Sequence, residues 1–246
     1  MNNGFVDVVV LTYKPDMSFF DQIAILQRQT VRPNKILIMN TEEKYLRSLL
    51  YGTRFMEENP NVEIHHVSKK EFNHGKTRNR AAQLSGADFL IFMTQDAMPV
   101  NENLIEELLK PMSDEKVAVS YARQLAGEEA GPIERYNRLF NYPEEDRVQT
   151  EADIAERGIK AFFCSDVCAC YRKEVFERLG GFIRYTIFNE DMLYAYSAIR
   201  AGEKVFYASR AQVCHFHNYT AKQQYSRNFD LGVSHADHPE VFQGLN

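Results

Sequence analysis

The sequence lacks an apolar run long enough to cross a membrane. Its longest runs, 8–11 and 89–93, fall far short of the roughly 20 apolar residues that a membrane-spanning helix requires. The first residues, Met1 to Gly4, also lack the basic flank and apolar segment that mark a signal peptide. These absences predict a cytoplasmic protein.

The sequence has no excess of basic charge either. Its 246 residues include 29 Lys and Arg against 34 Asp and Glu, which gives a formal net charge of -5. A general nucleic-acid binder usually carries a broad basic surface, so we expect no nucleic-acid partner. With 44% apolar residues, the chain can bury the core of one large domain.

Paired cysteine motifs are missing as well. The four cysteines, at 164, 168, 170 and 214, form no repeated C-x-x-C pair, which is the spacing that indicates a structural zinc site. Cys168 and Cys170 alternate along a strand-like stretch, where they can pack as small apolar side chains. In a cytoplasmic protein we expect all of them to be reduced.

Short β-branched runs alternate with helical patterns through the first hundred residues. This alternation is typical of βαβ units, and it predicts an α/β fold with a mostly parallel, Rossmann-like central sheet flanked by helices. No Gly-x-Gly-x-x-Gly follows the first strand, which argues against a nicotinamide-dependent oxidoreductase. The predicted strands are 6–11, 35–39, 62–67 and 88–93, and the predicted helices are 17–29, 42–58 and 77–85.

The pattern is less regular after Pro99. A polar stretch with several glycines and prolines, 124–158, is predicted to be irregular apart from a helix at 133–140. The remaining predicted strands are 116–121, 160–171, 205–208 and 212–216, and the remaining helices are 102–109, 173–179, 190–201 and 221–229.

Ligands of open parallel sheets bind beyond the carboxyl ends of the strands, so the residues at those ends are the first site candidates. Asp96 directly follows a buried strand, where a lone carboxylate can bind a hard cation that holds phosphate oxygens; capping of the next helix is the alternative. Lys76 and Arg78 lie beside a helix N-terminus, which suits a diphosphate, although an ordinary solvated turn also has this composition. The strand-end candidates are Thr12, Tyr13, Asn40, Thr41, Lys76, Arg78, Gln95 and Asp96.

Two further constellations lie in the second half of the chain. Glu190 and Asp191 open a predicted helix, where they either complement the helix dipole or present a carboxylate that takes a proton. His215 and His217 alternate near a strand end, so both can face the same side as metal ligands or as ordinary edge histidines. His65 and His66 point to opposite faces and are interpreted as ordinary histidines.

Taken in order, these motifs resemble the family-two glycosyltransferases of GT-A fold, especially the bacterial branch usually labelled rhamnosyltransferases. The resemblance covers the chain almost from end to end. It implies a donor-binding half, 1–100, and an acceptor-binding and catalytic half, 101–246, within one continuous GT-A domain. The segments that carry it are 8–13, 72–79, 94–99, 165–172, 180–182, 189–191 and 215–219.

The resemblance also implies a reaction. An inverting enzyme of this kind moves a sugar, rhamnose in this branch, from a UDP- or dTDP-linked donor to a hydroxyl of a growing surface polysaccharide or lipid-linked glycan. A divalent metal, Mn²⁺ or Mg²⁺, assists the departure of the diphosphate. The implied roles are nucleobase contact for Thr12 and Tyr13, base or ribose contact for Asn40 and Thr41, diphosphate contact for Lys76 and Arg78, metal binding for Asp96 and His217, general base for Asp191, and the acceptor side for Asp166 and Glu190.

The sequence departs from the family pattern in two places. Gln95 stands where the usual signature has its first acidic residue, so a catalytically silent nucleotide-sugar binding module is the alternative function. The chain also ends soon after 229–232, where relatives often carry further helical sequence that helps to place them on a membrane. We therefore expect a truncated C-terminus and allow for peripheral association with the inner face of the cell membrane.

Overall fold

A computed structural model describes residues 4–243 of the chain; the first three residues, used above to judge a signal peptide, and the last three lie outside it. The strands are β1 (Val6–Tyr13), β2 (Lys35–Thr41), β3 (Val62–Val67), β4 (Phe89–Thr94), β5 (Met98–Pro99), β6 (Val117–Leu125), β7 (Arg147–Gln149), β8 (Cys168–Arg172) and β9 (Lys204–Cys214). The helices are α1 (Ser18–Gln27), α2 (Glu43–Leu50), α3 (Phe55–Glu58), α4 (His74–Leu84), α5 (Leu104–Leu109), α6 (Pro132–Asn141), α7 (Ile154–Arg157), α8 (Lys173–Arg178), α9 (Glu190–Arg200), α10 (Ala221–Asp237) and α11 (Pro239–Phe242).

Within residues 4–243 all nine strands join one sheet, in the order β3-β2-β1-β4-β8-β6-β9-β5 with β7 beside β9. The first four strands of this order are parallel, as the βαβ pattern predicts. β8 runs antiparallel to both β4 and β6, which makes the complete sheet mixed. The predicted α/β class with flanking helices is confirmed.

The apolar strands have side chains packed on both faces of the sheet. Val8 and Val10 lie in one core layer and Val9 lies in the other, because successive side chains of a strand point to opposite faces. All three are fully buried. Burial on both faces explains why these strands are nearly continuous apolar runs in the sequence.

Three elements differ from the sequence prediction. The predicted helix 42–58 is interrupted between α2 and α3, where Gly52 adopts a φ of 76°, a value that ends a helix. Residues 158–162 form a 3₁₀ helix, so the predicted strand 160–171 begins only at Cys168. The two short strands predicted at 205–208 and 212–216 are the single strand β9, whose pairing with β6 shifts register at Ala122 and Arg123.

The helix predicted at 221–229 is longer in the structure, where α10 continues to Asp237. The predicted helix at 133–140 is present as α6. Among the residues that the structure describes, no helix combines the length and apolar character needed to span a bilayer.

Candidate functional site

Three side chains that can bind a metal meet beside the end of β4. Asp96 follows β4, and His215 and His217 follow β9 directly. His215 Nε2 lies 3.5 Å from Asp96 Oδ1, and His217 Nε2 lies 3.4 Å from Asp96 Oδ2. One ligand atom from each residue lies within 4.8 Å of the other two. The structure thus brings together the predicted metal ligands Asp96 and His217, and it adds His215.

The ionisation of this cluster suits metal binding. Partial burial raises the pKa of Asp96, but the hydrogen bond and charge of His215 and the hydrogen bond from Thr94 outweigh it and hold that pKa below its ordinary value. Asp96 is therefore a carboxylate at neutral pH. Burial lowers the pKa of His217, so its imidazole stays neutral and offers a nitrogen lone pair.

A second layer of hydrogen bonds fixes the tautomer of His215. Arg138 Nη1 donates to Gln124 Oε1 over 2.6 Å, and a guanidinium group can only donate, so this Gln124 atom must be the carbonyl oxygen. His215 Nδ1 lies 2.9 Å from the same oxygen and therefore carries its proton. In the neutral form of this ring the lone pair is therefore on Nε2, the nitrogen that faces Asp96. Second-layer contacts of this kind are typical of metal-binding histidines.

The donor set consists of one carboxylate oxygen and two imidazole nitrogens. Imidazole nitrogen is a common ligand for divalent transition metals, and carboxylate oxygen adds affinity for Mn²⁺. Water and phosphate oxygens can complete the coordination. The three residues therefore fit a divalent metal ion at this position.

Gln95 contacts the backbone of the neighbouring strand. Its Oε1 accepts a hydrogen bond from Tyr13 N over 2.8 Å, and its Nε2 donates to Tyr13 O over 3.0 Å. The Tyr13 side chain is 38% exposed and meets Tyr45 edge-on, with the ring centroids 5.7 Å apart. Gln95, which is next to Asp96 in the chain, therefore holds the backbone of an exposed aromatic residue.

The predicted nucleobase and ribose residues lie side by side at the ends of β1 and β2. Thr12 Oγ1 donates to Asn40 Oδ1 over 3.1 Å, and Asn40 Nδ2 lies 2.9 Å from His66 Nδ1. Thr12, Asn40 and Thr41 are buried, so they shape the floor of this region, whereas His66 is exposed. The sequence pattern predicts an ordinary histidine at position 66, whereas the structure places His66 beside Asn40.

Backbone strain is concentrated at the same strand and helix ends. Three non-glycine residues in 4–243 have a positive φ, Lys14 at 50°, Glu42 at 65° and Asn189 at 67°. Lys14 follows β1, Glu42 follows β2, and Asn189 precedes the helix that carries Asp191. Residues outside glycine rarely adopt this conformation, and such strain clusters at functional sites.

Arg78 lies within a group of carboxylates. Its Nη1 lies 3.0 Å from Glu190 Oε1 and its Nε lies 3.2 Å from Asp166 Oδ2, and its side chain is 3% exposed. The sequence predicts that Arg78 faces the diphosphate, whereas in the structure its guanidinium lies beside Asp166 and Glu190. Lys76 is exposed, and it lines a separate cavity with Lys70 and Arg184.

The carboxylate group also contains the predicted general base. Asp191 Oδ2 accepts a hydrogen bond from Asp166 N over 3.1 Å, and Oδ1 accepts one from Met192 N over 2.8 Å. Burial and the charge of Glu190 raise the pKa of Asp191, two backbone hydrogen bonds and the charge of Arg78 oppose this rise, and the resulting pKa is about 6. An oriented carboxylate with a pKa near neutrality can accept a proton from a hydroxyl.

Asp166 is buried behind Asp191. Burial raises the pKa of Asp166 to about 8, against the opposing charge of Arg78. The hydroxyl of Tyr171 donates to Asp166 Oδ1, so both oxygens of this carboxylate have protein neighbours. Asp166 therefore supports Arg78 and Asp191 from within the core.

The metal cluster and the carboxylate group are connected. Gln124, which accepts from His215, also donates from Nε2 to Ser165 Oγ over 2.9 Å. Ser165 immediately precedes Asp166, whose backbone N–H binds Asp191. A short path of hydrogen bonds and one peptide link thus joins a metal ligand to the candidate base. Gln124 and Arg138 carry no local sequence signal for this role, because His215 and Ser165 are distant from them along the chain.

The chain matches known proteins over most of its length. The profile of glycosyl transferase family 2 covers residues 26–180. The O-antigen chain rhamnosyltransferase WbaN of Salmonella anatum is 39% identical over 236 residues, which is 95% of this chain and 73% of that protein. The O-antigen chain rhamnosyltransferase RfbN of Salmonella typhimurium is 37% identical over 237 residues, which is 96% of this chain and 74% of that protein.

Solved structures share the fold at low sequence identity. A mannosyltransferase of Pyrobaculum calidifontis, solved with GDP-mannose and Mn²⁺, has a TM-score of 0.69 at 15% identity, and the match covers 96% of this chain and 63% of that one. TarS of S. aureus, residues 1–349 with UDP-GlcNAc, has a TM-score of 0.66 at 15% identity, with 90% and 61% covered. The match thus spans less than two thirds of either neighbour. The extent of the family match and the identity to two relatives, each covered to more than two thirds of its length, establish that the chain is a glycosyltransferase of family 2 with the GT-A fold.

Proposed function

We propose that this glycosyltransferase moves rhamnose from a nucleotide diphosphate donor to a hydroxyl of a growing O-antigen chain or similar lipid-linked glycan, with inversion at the anomeric carbon. The sugar and acceptor are suggested by the two O-antigen chain rhamnosyltransferases that it resembles. The observation that carries the proposed chemistry is the hydrogen-bonded path from the Asp96 cluster to Asp191. It supports one site with both a metal and a base.

The donor diphosphate is assigned to the metal cluster. Asp96, His215 and His217 would hold the divalent ion, which would supply Lewis-acid stabilisation of the departing diphosphate. Lys76 is exposed at the start of α4, where the helix dipole adds to its charge, and it stays a predicted diphosphate contact, although the cavity that it lines contains none of the three candidate metal ligands. Tyr13 offers an aromatic face to the base of a UDP or dTDP donor.

The acceptor is activated by Asp191. The acceptor oxygen attacks the anomeric carbon as Asp191 takes the hydroxyl proton, and the bond from the anomeric carbon to the diphosphate oxygen breaks with its electron pair on the diphosphate. A single displacement of this kind inverts the configuration and needs no enzyme nucleophile. Two backbone N–H groups orient the Asp191 carboxylate for this transfer.

The ligand set favours Mn²⁺ over Mg²⁺. Mg²⁺ prefers oxygen ligands and keeps several waters, whereas two of the three protein ligand atoms here are imidazole nitrogens. We therefore expect Mn²⁺ to support higher activity than Mg²⁺ at equal concentration.

A catalytically silent nucleotide-sugar binding module is the second candidate. Its main support was Gln95 in place of an acidic residue. The two hydrogen bonds between Gln95 and the Tyr13 backbone support a structural role for that side chain. The two histidines can supply ligand atoms in place of the missing carboxylate. A half-buried, oriented carboxylate with a raised pKa also has no use in a module that only binds.

The experiment combines a donor panel with ligand variants. The purified chain is incubated with dTDP-rhamnose or other nucleotide sugars, Mn²⁺ and a lipid-linked glycan acceptor, and released nucleoside diphosphate and extended glycan are measured. Asp96→Asn and His217→Ala should each raise the Mn²⁺ Kd and reduce transfer by at least about tenfold, whereas His65→Ala on β3 should not. Metal-dependent donor binding with no transfer to any acceptor and no donor hydrolysis would support the silent module.

A further inference from the structure

Gln95 links the end of β1 to the end of β4. We propose that it is a positioning residue, whose amide fixes the Tyr13 backbone relative to Asp96. The Tyr13 ring, assigned to the nucleobase, and the Asp96 carboxylate, assigned to the metal, thereby keep one relative geometry. The inference rests on the proposed donor site. It assigns a positive task to the residue that departs from the acidic family signature.

The orientation of the Gln95 amide follows from its partner. A backbone N–H can only donate and a backbone carbonyl can only accept, so Oε1 must face Tyr13 N and Nε2 must face Tyr13 O. The two bonds, 2.8 Å and 3.0 Å long, satisfy both backbone polar groups of one residue. A neighbouring strand normally supplies these two bonds.

The position of Gln95 at the end of the strand pair explains why a side chain is needed there. The parallel register of β1 and β4 runs from Val6 opposite Phe89 to Leu11 opposite Thr94, and it ends there. Tyr13 lies two residues beyond that last pair. Gln95 therefore continues the hydrogen bonding after the two backbones have separated.

Tyr13, which Gln95 anchors, leads directly into a strained and exposed turn at Lys14. Lys14, directly after Tyr13, has a φ of 50°, so the chain turns sharply at this point. The Lys14 ammonium lies 5.3 Å from the ring centroids of both Tyr13 and Tyr45. Loss of the Gln95 hydrogen bonds would leave Tyr13 and Lys14 free to move, and with them the Tyr13 ring that is assigned to the nucleobase.

The other side of the Asp96 loop is held independently. Gln22 on α1 donates from Nε2 to Thr94 O and to Ala97 O, both over 2.9 Å. The loop that carries Asp96 therefore keeps its place when the Gln95 side chain is changed. A Gln95 variant should displace Tyr13 and leave the metal ligands where they are.

Glutamine is better suited to this position than an acidic residue. A glutamate of similar length could accept from Tyr13 N, but it has no hydrogen for Tyr13 O at neutral pH. Its negative charge would also face that carbonyl oxygen. A shorter aspartate would not span the same gap.

The test compares Gln95→Glu and Gln95→Met with the control Gln83→Glu, an exposed position on α4. Mn²⁺ Kd is measured by calorimetry on the free enzyme, and binding of UDP and dTDP is measured at saturating Mn²⁺. Both Gln95 variants should weaken nucleotide binding and raise the donor KM by roughly tenfold, with kcat and Mn²⁺ Kd within about threefold of wild type. Gln83→Glu should match wild type.

The outcomes separate the possible roles. A rise in Mn²⁺ Kd as large as that of Asp96→Asn would make Gln95 a metal ligand and overturn the proposal. Unchanged nucleotide binding in both variants would also overturn it. Because nucleotide and metal binding are read without turnover, a wild-type chain that transfers no sugar would count against the proposed function but would leave this test intact. Two variants of different charge are used so that a folding failure of one still leaves a measurement.

Discussion

The proton acceptor can be identified from the pH dependence of transfer. Burial and the charge of Glu190 raise the pKa of Asp191 to about 6, from an ordinary value of 3.8. A base works only in its ionised form, so turnover should fall as the pH drops through that pKa. We therefore expect an acid limb in kcat centred near pH 6 in the enzyme saturated with donor and acceptor.

The size of the effect follows from the ionised fraction. With the pKa at about 6, roughly 90% of Asp191 is ionised at pH 7 and roughly 10% at pH 5, a fall of about tenfold. An aspartate with its ordinary pKa would lose only about 6% of its ionised form over the same interval. The two cases differ enough to be separated in an ordinary rate measurement.

The assay follows glycan extension between pH 5 and 8 in wild type and in Asp191→Asn, with Asp21→Asn on the exposed face of α1 as the matched control. Mn²⁺ is kept saturating, which is checked by doubling its concentration at each pH, so that protonation of the histidine ligands does not produce the limb. Asp191→Asn should bind donor normally, lose transfer by roughly 10²- to 10⁴-fold, and show no limb near pH 6. Near-normal turnover in that variant, or a wild-type rate that is flat from pH 7 to 5, would refute the role of Asp191.

Two further changes test the surroundings of the site. Gln124→Met removes the acceptor shared by Arg138 and His215 and should raise the Mn²⁺ Kd by roughly 10- to 100-fold. Gln124→Glu keeps an acceptor and should bind Mn²⁺ more tightly than Gln124→Met does. Equal affinities of the two variants, measured by calorimetry, would contradict the assignment of the His215 proton to Nδ1. Gly75→Ala places a Cβ 2.2 Å from the backbone oxygen of Ile183, so it should lower the free energy of unfolding by about 1–3 kcal/mol. Gly86→Ala, which meets no atom within 4 Å, is the control in denaturant unfolding, and equal stability of the two variants would contradict the predicted clash.

The first half of the fold could be predicted from the sequence because its strands are buried on both faces. Such strands appear as continuous apolar runs, and turn residues separate them clearly from the helices. The strand predicted at 160–171, which begins only at Cys168, shows where apolar runs stop being a reliable signal for a strand. Ala161 and Phe162 are fully buried, yet they belong to a 3₁₀ helix. Apolar content predicts burial, but it does not fix the backbone conformation of a short segment.

The candidate site could be predicted only where one residue carries its own local signal. Asp96 follows a strand and Asp191 opens a helix, and both positions are visible in the sequence. The partners of Arg78 are not, because Arg78 and Glu190 are 112 residues apart. A basic residue at a helix start looks like an anion contact until the fold places carboxylates beside it.

The candidate metal ligands come from both sides of residue 100, where the sequence predicts the division between the two halves, and Gln124 helps to keep them in one geometry. Its carbonyl oxygen accepts from Arg138 and His215, and its amide nitrogen donates to Tyr142 and Ser165. An amide side chain has two acceptor and two donor positions, so Gln124 is saturated and cannot rotate without losing bonds in a buried setting. His215 is thereby held toward Asp96, and the segment that binds Asp191 is tied to the same side chain. The relative geometry of the candidate metal ligands and of the candidate base therefore depends on one buried amide as well as on those residues themselves.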